Sequence, residues 1–557
     1  MKRVNHLVAA GVHVVTQTIW MVRVLCSAGF LALLRPDKYV RMIAALMRLG
    51  ASPLTGIGLS AARNPHATAI IDEGGSLSWA ALESRSDALA VGLARDDTGE
   101  PATIGILCRN HRGLVESLAA ATKTGADALL LNTGFSGPQL AEVLVREGAT
   151  TIVYDEEFSG LVEHARDKID GLIELLAWCE DTSADNTIDE VITANAGRRP
   201  PKPKKAGRII LLTSGTTGTP KGARRSGGGG AGALAAMFER IPWRAEQTVV
   251  IAAPMFHAWG FGQMAVSASM TCTMVMRRRF DPEATLAMVD EHRARGLALV
   301  PVMLERIMDL PGEVLDNYEM STLQFATISG SRMRADAVRD FMDRFGDVVY
   351  NSYNATEAGL ISTAVPADLR AAPDTAGRPA AGTEVRILDG DFEELAAGDV
   401  GKIAVLSNSH FEGYSSGETK DFHGAFMLTG DMGRLDRAGR LFVVGRDDDM
   451  IVSGGENVFP LEVEETLHRH PSVLEAAVLG VDDAQYGQRL AAFVVLRPGQ
   501  SVGADELKAH VKAQLAGFKA PRDVVFLDSL PRNATGKVVK RELPEVRDPN
   551  VRTGPAS

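Results

Sequence analysis

The chain has 557 residues but only four cysteines, Cys26, Cys108, Cys179 and Cys272, each isolated and none in a C-x-x-C pair. That scarcity excludes a disulfide framework and a zinc ribbon, and it fits a reducing, cytoplasmic compartment. Any long block of one charge is also missing: 59 Lys and Arg against 70 Asp and Glu leave a net charge of −11 spread along the chain. No nucleic-acid groove is expected, and a basic site has to be local. No repeat period of about 20–50 residues is present, which excludes solenoids and propellers. An uninterrupted apolar run of membrane-spanning length is lacking too. Val4 to Val22 carries no Asp, Glu, Lys or Arg, but His6, His13, Thr16, Gln17 and Thr18 break it, and Arg23 separates it from Val24 to Leu34. This makes a poor transmembrane helix. The cationic start Met1-Lys2-Arg3 leads to no clean apolar core with a small-residue cleavage site, so a signal peptide is not expected. An amphipathic helix fits residues 1–50, either lying on the cytoplasmic face of a membrane or docked on the protein's own body.

What is present is ordinary globular material, with 45% apolar and 23% charged residues, in a chain long enough for two to four packed units. From Ala67 onward, short aliphatic runs alternate with helical patterns. Thr103 to Cys108, Asp127 to Leu131, Thr150 to Tyr154, Thr248 to Ile251 and Leu297 to Val300 read as buried strands with helices between. The expected fold class is therefore α/β, with layered, largely parallel sheets in a large domain. Asp281 as cap, Pro282 in the first turn and Gly296 as terminator predict a helix over Ala284 to Arg295. The tract Arg198 to Lys205 reads as an exposed connector. Beyond Asp447, shorter strands and helices over Pro460 to His468 and Ala504 to Leu515 predict a small α+β unit. The organisation expected is an N-terminal extension (1–50), a large domain (51–447), a small domain (448–543) and a tail (544–557).

The first stretch with evident chemistry follows the apolar run Arg208 to Leu212: Thr213, Ser214, Gly215, Thr216, Thr217, Gly218, Thr219, Pro220, Lys221 and Gly222. Gly and hydroxyl residues in such a loop turn backbone N–H groups and side-chain hydroxyls onto phosphate oxygens, and Lys221 adds charge. A Walker loop is ruled out, because that loop needs Gly before its Lys and Ser or Thr after it, where Pro220 and Gly222 stand here. Further along come Ala253 to Phe261 (Ala-Pro-Met-Phe-His-Ala-Trp-Gly-Phe), Ile328 to Arg332 (Ile-Ser-Gly-Ser-Arg) and Tyr350 to Gly359 (Tyr-Asn-Ser-Tyr-Asn-Ala-Thr-Glu-Ala-Gly). They are followed by Leu428 to Gly433, Gly445 to Met450, Ile451 to Pro460 and Pro531 to Leu543.

These motifs, in this order over roughly Ala67 to Leu543, resemble those of the acyl-adenylating superfamily: acyl-CoA synthetases, luciferases and the adenylation domains of peptide synthetases. The resemblance implies a large α/β domain and a small mobile C-terminal domain. It also implies roles. Thr213 to Gly218 and Lys221 would cradle the polyphosphate of ATP. Gly330, Ser331, Asn351 and Asn354 would lie along the adenine, with Tyr353 stacked on its face. Thr356 would touch the α-phosphate and Glu357 would ligate Mg2+. His257 would shape the acyl channel; amino-acid-activating relatives usually place Asp there, so an amino-acid substrate is not expected. Asp431 would hold the ribose hydroxyls and Arg446 would assist it, Asp448 would sit at the domain pivot, and Lys537 would be the catalytic lysine. Ser453, Gly454 and Gly455 would line the channel for coenzyme A. Two departures from the family pattern put pocket width in doubt: Ser329-Gly330-Ser331-Arg332 replaces Gly-Gly-Ala-Pro, and Asn354 replaces Gly.

The implied activity joins a carboxylic acid to CoA through acyl-AMP, with ATP, CoA and Mg2+ as reactants and cofactor. The apolar stretch Trp259 to Met270 points to a medium- or long-chain fatty acid. Two alternatives stay open: an acyl-AMP ligase loading a separate carrier protein, and a catalytically silent scaffold. Small molecules are the expected partners, without nucleic acid; membrane contact through the N-terminal segment and a homo-oligomer are both compatible with the sequence.

Overall fold

In the computed structural model, the aliphatic runs from Thr103 to Leu299 form strands buried on both faces, as apolar runs without alternation require. The structure describes residues 2–50, 52, 54–94, 102–180, 184–213, 221–225, 230–407, 413–414, 419–453, 456–483, 486–533 and 536–546. Chain contacts divide it into two units, one of Met1–Glu384 with Leu406–Lys420 and the other of Val385–Val405 with Asp421–Ser557.

Among the described residues of the first unit, nine strands form one sheet. Its order is Arg378–Pro379, Gly359–Ala364, Val349–Ala355, Phe325–Ile328, Gly296–Leu299, Thr248–Ile251, Thr273–Val275, Thr68–Asp72 and Gly75–Ser78. The central pairings are parallel and the edges antiparallel. A second sheet runs Ile173–Trp178, Ala149–Asp155, Thr103–Leu107, Asp127–Leu130, Ile209–Thr213 and Lys221–Arg225, parallel except for the last strand. Helices joining the strands of the first sheet bury Leu286, Leu304 and Phe341 against Val250, Leu299 and Ile328. The Asp281 cap is real, its side chain accepting from Ala284 N, but the helix is Pro282–Glu291 and stops four residues before the expected end. Arg293, at φ 45°, turns the chain so that Ala294 enters the core. Gly296 opens the next strand, and it is glycine because a Cβ there would strike the Phe325 ring.

The N-terminal extension forms two helices, α1 (Lys2–Ser27) and α2 (Pro36–Leu49), followed by α3 (Thr55–Arg63). Trp20 Nε1 donates to Glu239 Oε1 at 2.8 Å, tying α1 to the helix Gly230–Arg240, while Leu25 and Ala28 are buried. Among the described residues, no helix is long and apolar enough to cross a membrane.

The second unit holds two further sheets. One contains Thr383–Leu388, Gly401–Ser407, Phe426–Leu435, Phe422–His423 and Leu441–Arg446; the other contains Glu456–Val458, Ile451–Ser453, Gly487–Leu496, Val473–Asp483 and Asp523–Phe526. The helices Pro460–His468 and Ala504–Gln514 cover one face of the latter, placing Val463, Leu467, Leu507 and Val511 on Val478, Ala492 and Val494. The position between Asp447 and Asp448, where the sequence suggests a domain boundary, lies inside this second unit.

Candidate active site

Parallel strands deliver their C-terminal ends to one sheet edge, where an α/β fold offers room for a ligand. Ile328 pairs with Asn351 across neighbouring strands, so the turn Ser329-Gly330-Ser331 and the segment Asn351 to Asn354 become neighbours. Gly330 has φ +118°, and a Cβ there would meet Val300 Cγ1 at an ordinary 3.9 Å, so its backbone conformation, and not crowding, calls for glycine. Ser331 is exposed beside it. The strand Val349–Ala355 shifts register between Tyr353 and Asn354, a bulge of the kind that re-aims side chains near sites. Asn351 Nδ2 donates to Thr375 O at 3.3 Å. The two departures from the family pattern meet here: Asn354 Nδ2 donates to Ser329 Oγ at 2.9 Å, and Ser329 is buried.

Thr356 and Glu357 occupy the turn that closes this strand onto Gly359–Ala364, with Ala358 N donating to Ala355 O. Glu357 is buried; its Oε1 accepts from the Tyr414 hydroxyl and lies 3.9 Å from Lys420 Nζ. Tyr414 also bridges to Ala223 in the strand Lys221–Arg225, which links that hairpin to Glu357. Thr213 pairs with Lys221 across the hairpin. Ser214, Gly215, Thr216, Thr217 and Gly218 lie outside the described residues. Neither Tyr414 nor Lys420 belongs to a motif that sequence reasoning recognises; both reach Glu357 only in the fold. A lone carboxylate of this kind suits a magnesium ion that is held mostly by phosphate and water.

His257 caps the helix Ala258–Ser269 without a side-chain cap bond, its ring 4.4 Å from that of Phe256. Asn110, not anticipated from sequence, anchors the preceding loop: its Nδ2 donates to Ala253 O at 2.9 Å and its Oδ1 accepts from Met255 N at 2.8 Å. Gly260 is required because a Cβ would strike the Pro254 carbonyl. Beyond it, Phe261, Met264, Val266 and Met270 are core residues, and Trp259 Nε1 donates to Leu299 O. Packing therefore accounts for the apolar character of Trp259 to Met270.

In the second unit, Asp431 and Arg446 face each other across an antiparallel pair, with Arg446 Nη1 3.6 Å from Asp431 Oδ1. Arg446 Nε also donates to Asp448 Oδ1 at 3.0 Å. Together these carboxylates outweigh its burial and hold the guanidinium charged. Asp447 and Asp449 lie 3.6 and 3.0 Å from Lys402 and Lys540, so each residue of the triple-Asp run has its own cation. Lys537 belongs to a tight loop: its N–H donates to Asn533 Oδ1, Asn533 N donates back to Lys537 O, and Gly536 adopts φ +80°. The Lys537 residue as a whole is exposed, but burial of its ammonium end lowers its pKa below the ordinary lysine range. Asp431 opposes that shift and Arg446 adds to it. Asp431, Arg446 and Lys537, expected from three separate motifs, thus share one electrostatic neighbourhood. Ser453 pairs with Glu456 and Gly487, whereas Gly454 and Gly455 lie outside the described residues.

One further cluster, Cys108, His111 and Asp155, has metal-ligating chemistry and is fully buried. Both ring nitrogens of His111 are engaged, Nε2 with Asp155 Oδ1 at 2.7 Å and Nδ1 accepting from Gly113 N at 3.1 Å, and burial pushes the Cys108 thiol well up. This is a network that ties the strands Thr103–Leu107 and Ala149–Asp155 together, with an inert thiol.

Comparison with known proteins identifies the family. The AMP-binding enzyme family matches residues 59–415, and the AMP-binding enzyme C-terminal domain matches 462–537. The chain is 30% identical to a feruloyl-CoA synthase of an Amycolatopsis species, covering 86% of this chain and 96% of that protein. It is likewise 30% identical to the indoleacetate–CoA ligase of Aromatoleum aromaticum, covering 86% and 95%. The solved o-succinylbenzoate CoA synthetase of Bacillus subtilis, bound to its acyl-adenylate, matches with a TM-score of 0.76 at 27% identity, covering 88% of this chain and 98% of that one. With the family match spanning most of its length, the chain belongs to the AMP-binding enzymes, the acyl-adenylating superfamily that includes the CoA ligases.

Proposed function

We propose that the chain is an AMP-forming acid–CoA ligase acting in the cytoplasm on an apolar, ring-bearing carboxylic acid. The observation that carries the reaction class is the shared neighbourhood of Asp431, Arg446 and Lys537. A carboxylate must attack the α-phosphorus of ATP although both are anionic, so fixed positive charge has to offset the repulsion. In the first step a carboxylate oxygen bonds to the α-phosphorus as the bond to pyrophosphate breaks. Lys537 stabilises the charge developing there, while Asp431 accepts from the ribose hydroxyls and Arg446, kept charged by Asp448, fixes Asp431. Thr213, Lys221 and the loop between them hold the polyphosphate, and Thr356 orients the α-phosphate. Gly330, Ser331 and Asn351 border the adenine and Tyr353 stacks on it. Glu357 is the residue that would hold Mg2+, which when bound neutralises phosphate charge. In the second step the CoA thiolate attacks the acyl carbon, a C–S bond forms and AMP leaves; Ser453, Gly454 and Gly455 line the thiol's approach. No covalent enzyme nucleophile is needed.

Two observations favour a ring-bearing acid over a medium- or long-chain fatty acid. The relatives named above are feruloyl- and indoleacetate-CoA ligases. The apolar residues that had suggested an alkyl channel fill the core instead. His257 and the Ser329–Asn354 pair, which stands where the family usually has two glycines, supply a shaped and partly polar wall. The test is a panel of aryl, arylalkanoic, alicyclic and straight-chain acids with ATP and CoA, following AMP release. A clear preference for straight-chain acids overturns the substrate assignment, and the absence of AMP release with every acid overturns the reaction.

A further inference from the structure

Amphipathic helices in soluble folds turn their apolar face to the core, and α2 does the opposite. None of its fourteen residues is buried. Its inner side is clamped: Leu49 packs on Gly58 of α3, Arg48 pairs with Glu83 and Asp87, and Lys202 Nζ donates to Met47 O. On its outer side Val40, Ile43 and Met47, spaced by three and four residues, form one apolar stripe that is 67%, 57% and 70% exposed. Leu33, just before the helix, stands wholly in solvent. Single exposed aliphatic residues are common, but a continuous stripe on a rigidly held helix marks an interaction surface.

The charges around the stripe select its partner. Residues 1–50 hold seven Lys and Arg against the single acid Asp37, in a chain whose net charge is −11. Arg35 and Arg41 share Asp37, so one carboxylate balances two guanidiniums. A second copy docking through this face would bring the same cations together around a two-fold axis, which repels. An anionic lipid surface meets both needs, taking the apolar stripe into the headgroup boundary and the cations onto lipid phosphates.

We propose that α2 is an interfacial helix that docks the enzyme on anionic membranes, with Val40, Ile43 and Met47 inserted and Arg35 and Arg41 at headgroup level. The attachment is peripheral. It is independent of the catalytic reading, because the stripe contains no residue assigned to catalysis or substrate binding.

The test is sedimentation of the full chain with phosphatidylcholine vesicles, with and without about one third phosphatidylglycerol. The unaltered chain should sediment with the anionic vesicles, less with the neutral ones, and less as salt rises from about 0.1 M to about 1 M. V40D/M47D should lower the partition by about tenfold or more, and R35E/R41E should abolish the preference for anionic lipid. Both variants should keep the parent's melting temperature and its CoA-ligase rate on a soluble acid, showing that they fold. Failure of the unaltered chain to bind anionic vesicles, or equal binding by V40D/M47D, overturns the proposal. So does a dimer that V40D/M47D converts to monomer without any vesicle binding, which assigns the stripe to a second copy.

Discussion

The hydrogen bond from Asn354 Nδ2 to Ser329 Oγ couples two positions at which this chain departs from the usual glycines of its superfamily. Ser329 is only 3% exposed, so its hydroxyl does not exchange this partner freely for water, whereas Asn354 is half-buried. A neutral hydrogen bond of this kind contributes about 0.5–1.5 kcal/mol net, whereas leaving a buried partner alone costs about 1–3 kcal/mol. Asn354→Ala, which strands the buried Ser329 hydroxyl, should destabilise by the larger figure, and Ser329→Ala by the smaller. The double variant should cost less than their sum, with a coupling of about 0.5–1.5 kcal/mol in urea unfolding. If the pair also forms a wall of the acyl pocket, Ser329→Gly/Asn354→Gly opens space for a bulkier acid. One methylene of fit is worth about 1–3 kcal/mol in a hydrophobic pocket, so the ratio of kcat/KM for a larger over a smaller ring acid should rise about tenfold or more. Additive single costs, to within about 0.5 kcal/mol, would show that the bond does not couple the positions. An unchanged specificity ratio would remove the pair from the pocket.

Other outcomes follow from the charged groups. Lys537→Ala should abolish acid-dependent pyrophosphate exchange, a loss of about 2.7–4 kcal/mol of transition-state stabilisation, while still converting supplied acyl-AMP and CoA to thioester; equal loss of both half-reactions would contradict this. Because burial lowers the Lys537 pKa and only the ammonium stabilises the developing charge, adenylation should fall on the alkaline side at a pH below the ordinary lysine range. Asp431→Asn, which removes the charge opposing that shift, should move the fall to still lower pH, as a rate–pH profile will show. Asp431→Ala should weaken ATP binding by about 1.5–3 kcal/mol, roughly ten- to a hundredfold in Kd by calorimetry. Glu157 is held down to about 2, first by Arg109 and then by Arg279, against an ordinary 4.5. Its contribution to stability is therefore full above pH 4.5 and lost as pH falls through about 2. Glu157→Gln should flatten unfolding stability over that window.

Strands with strong apolar runs were legible before any coordinates: Thr248–Ile251 and the helix Pro460–His468 have the expected bounds, because nothing tertiary competes with their local pattern. The helix after Asp281 ends earlier than its spacing predicts, since the need to bury Ala294 and to pass Phe325 at Gly296 is invisible in one-dimensional spacing. The amphipathic character of residues 1–50 was legible, but not its division: α1 docks through Trp20, and α2 carries the exposed stripe. Within the site, motifs marked Asp431, Arg446 and Lys537 separately, and only the fold brings their charges within reach of one another. Tyr414 and Lys420 lie in no motif, and their approach to Glu357 is a long-range contact that sequence does not record. The Ser329 and Asn354 departures were each visible. Their coupling depends on the register that sets Ile328 beside Asn351.

The most direct test of the central claim is exchange of labelled pyrophosphate into ATP by the purified chain without CoA, with and without a ring-bearing carboxylic acid. The account predicts exchange that appears only when the acid is present and disappears in Lys537→Ala. Exchange that proceeds equally without any acid, or that Lys537→Ala leaves intact, would contradict it.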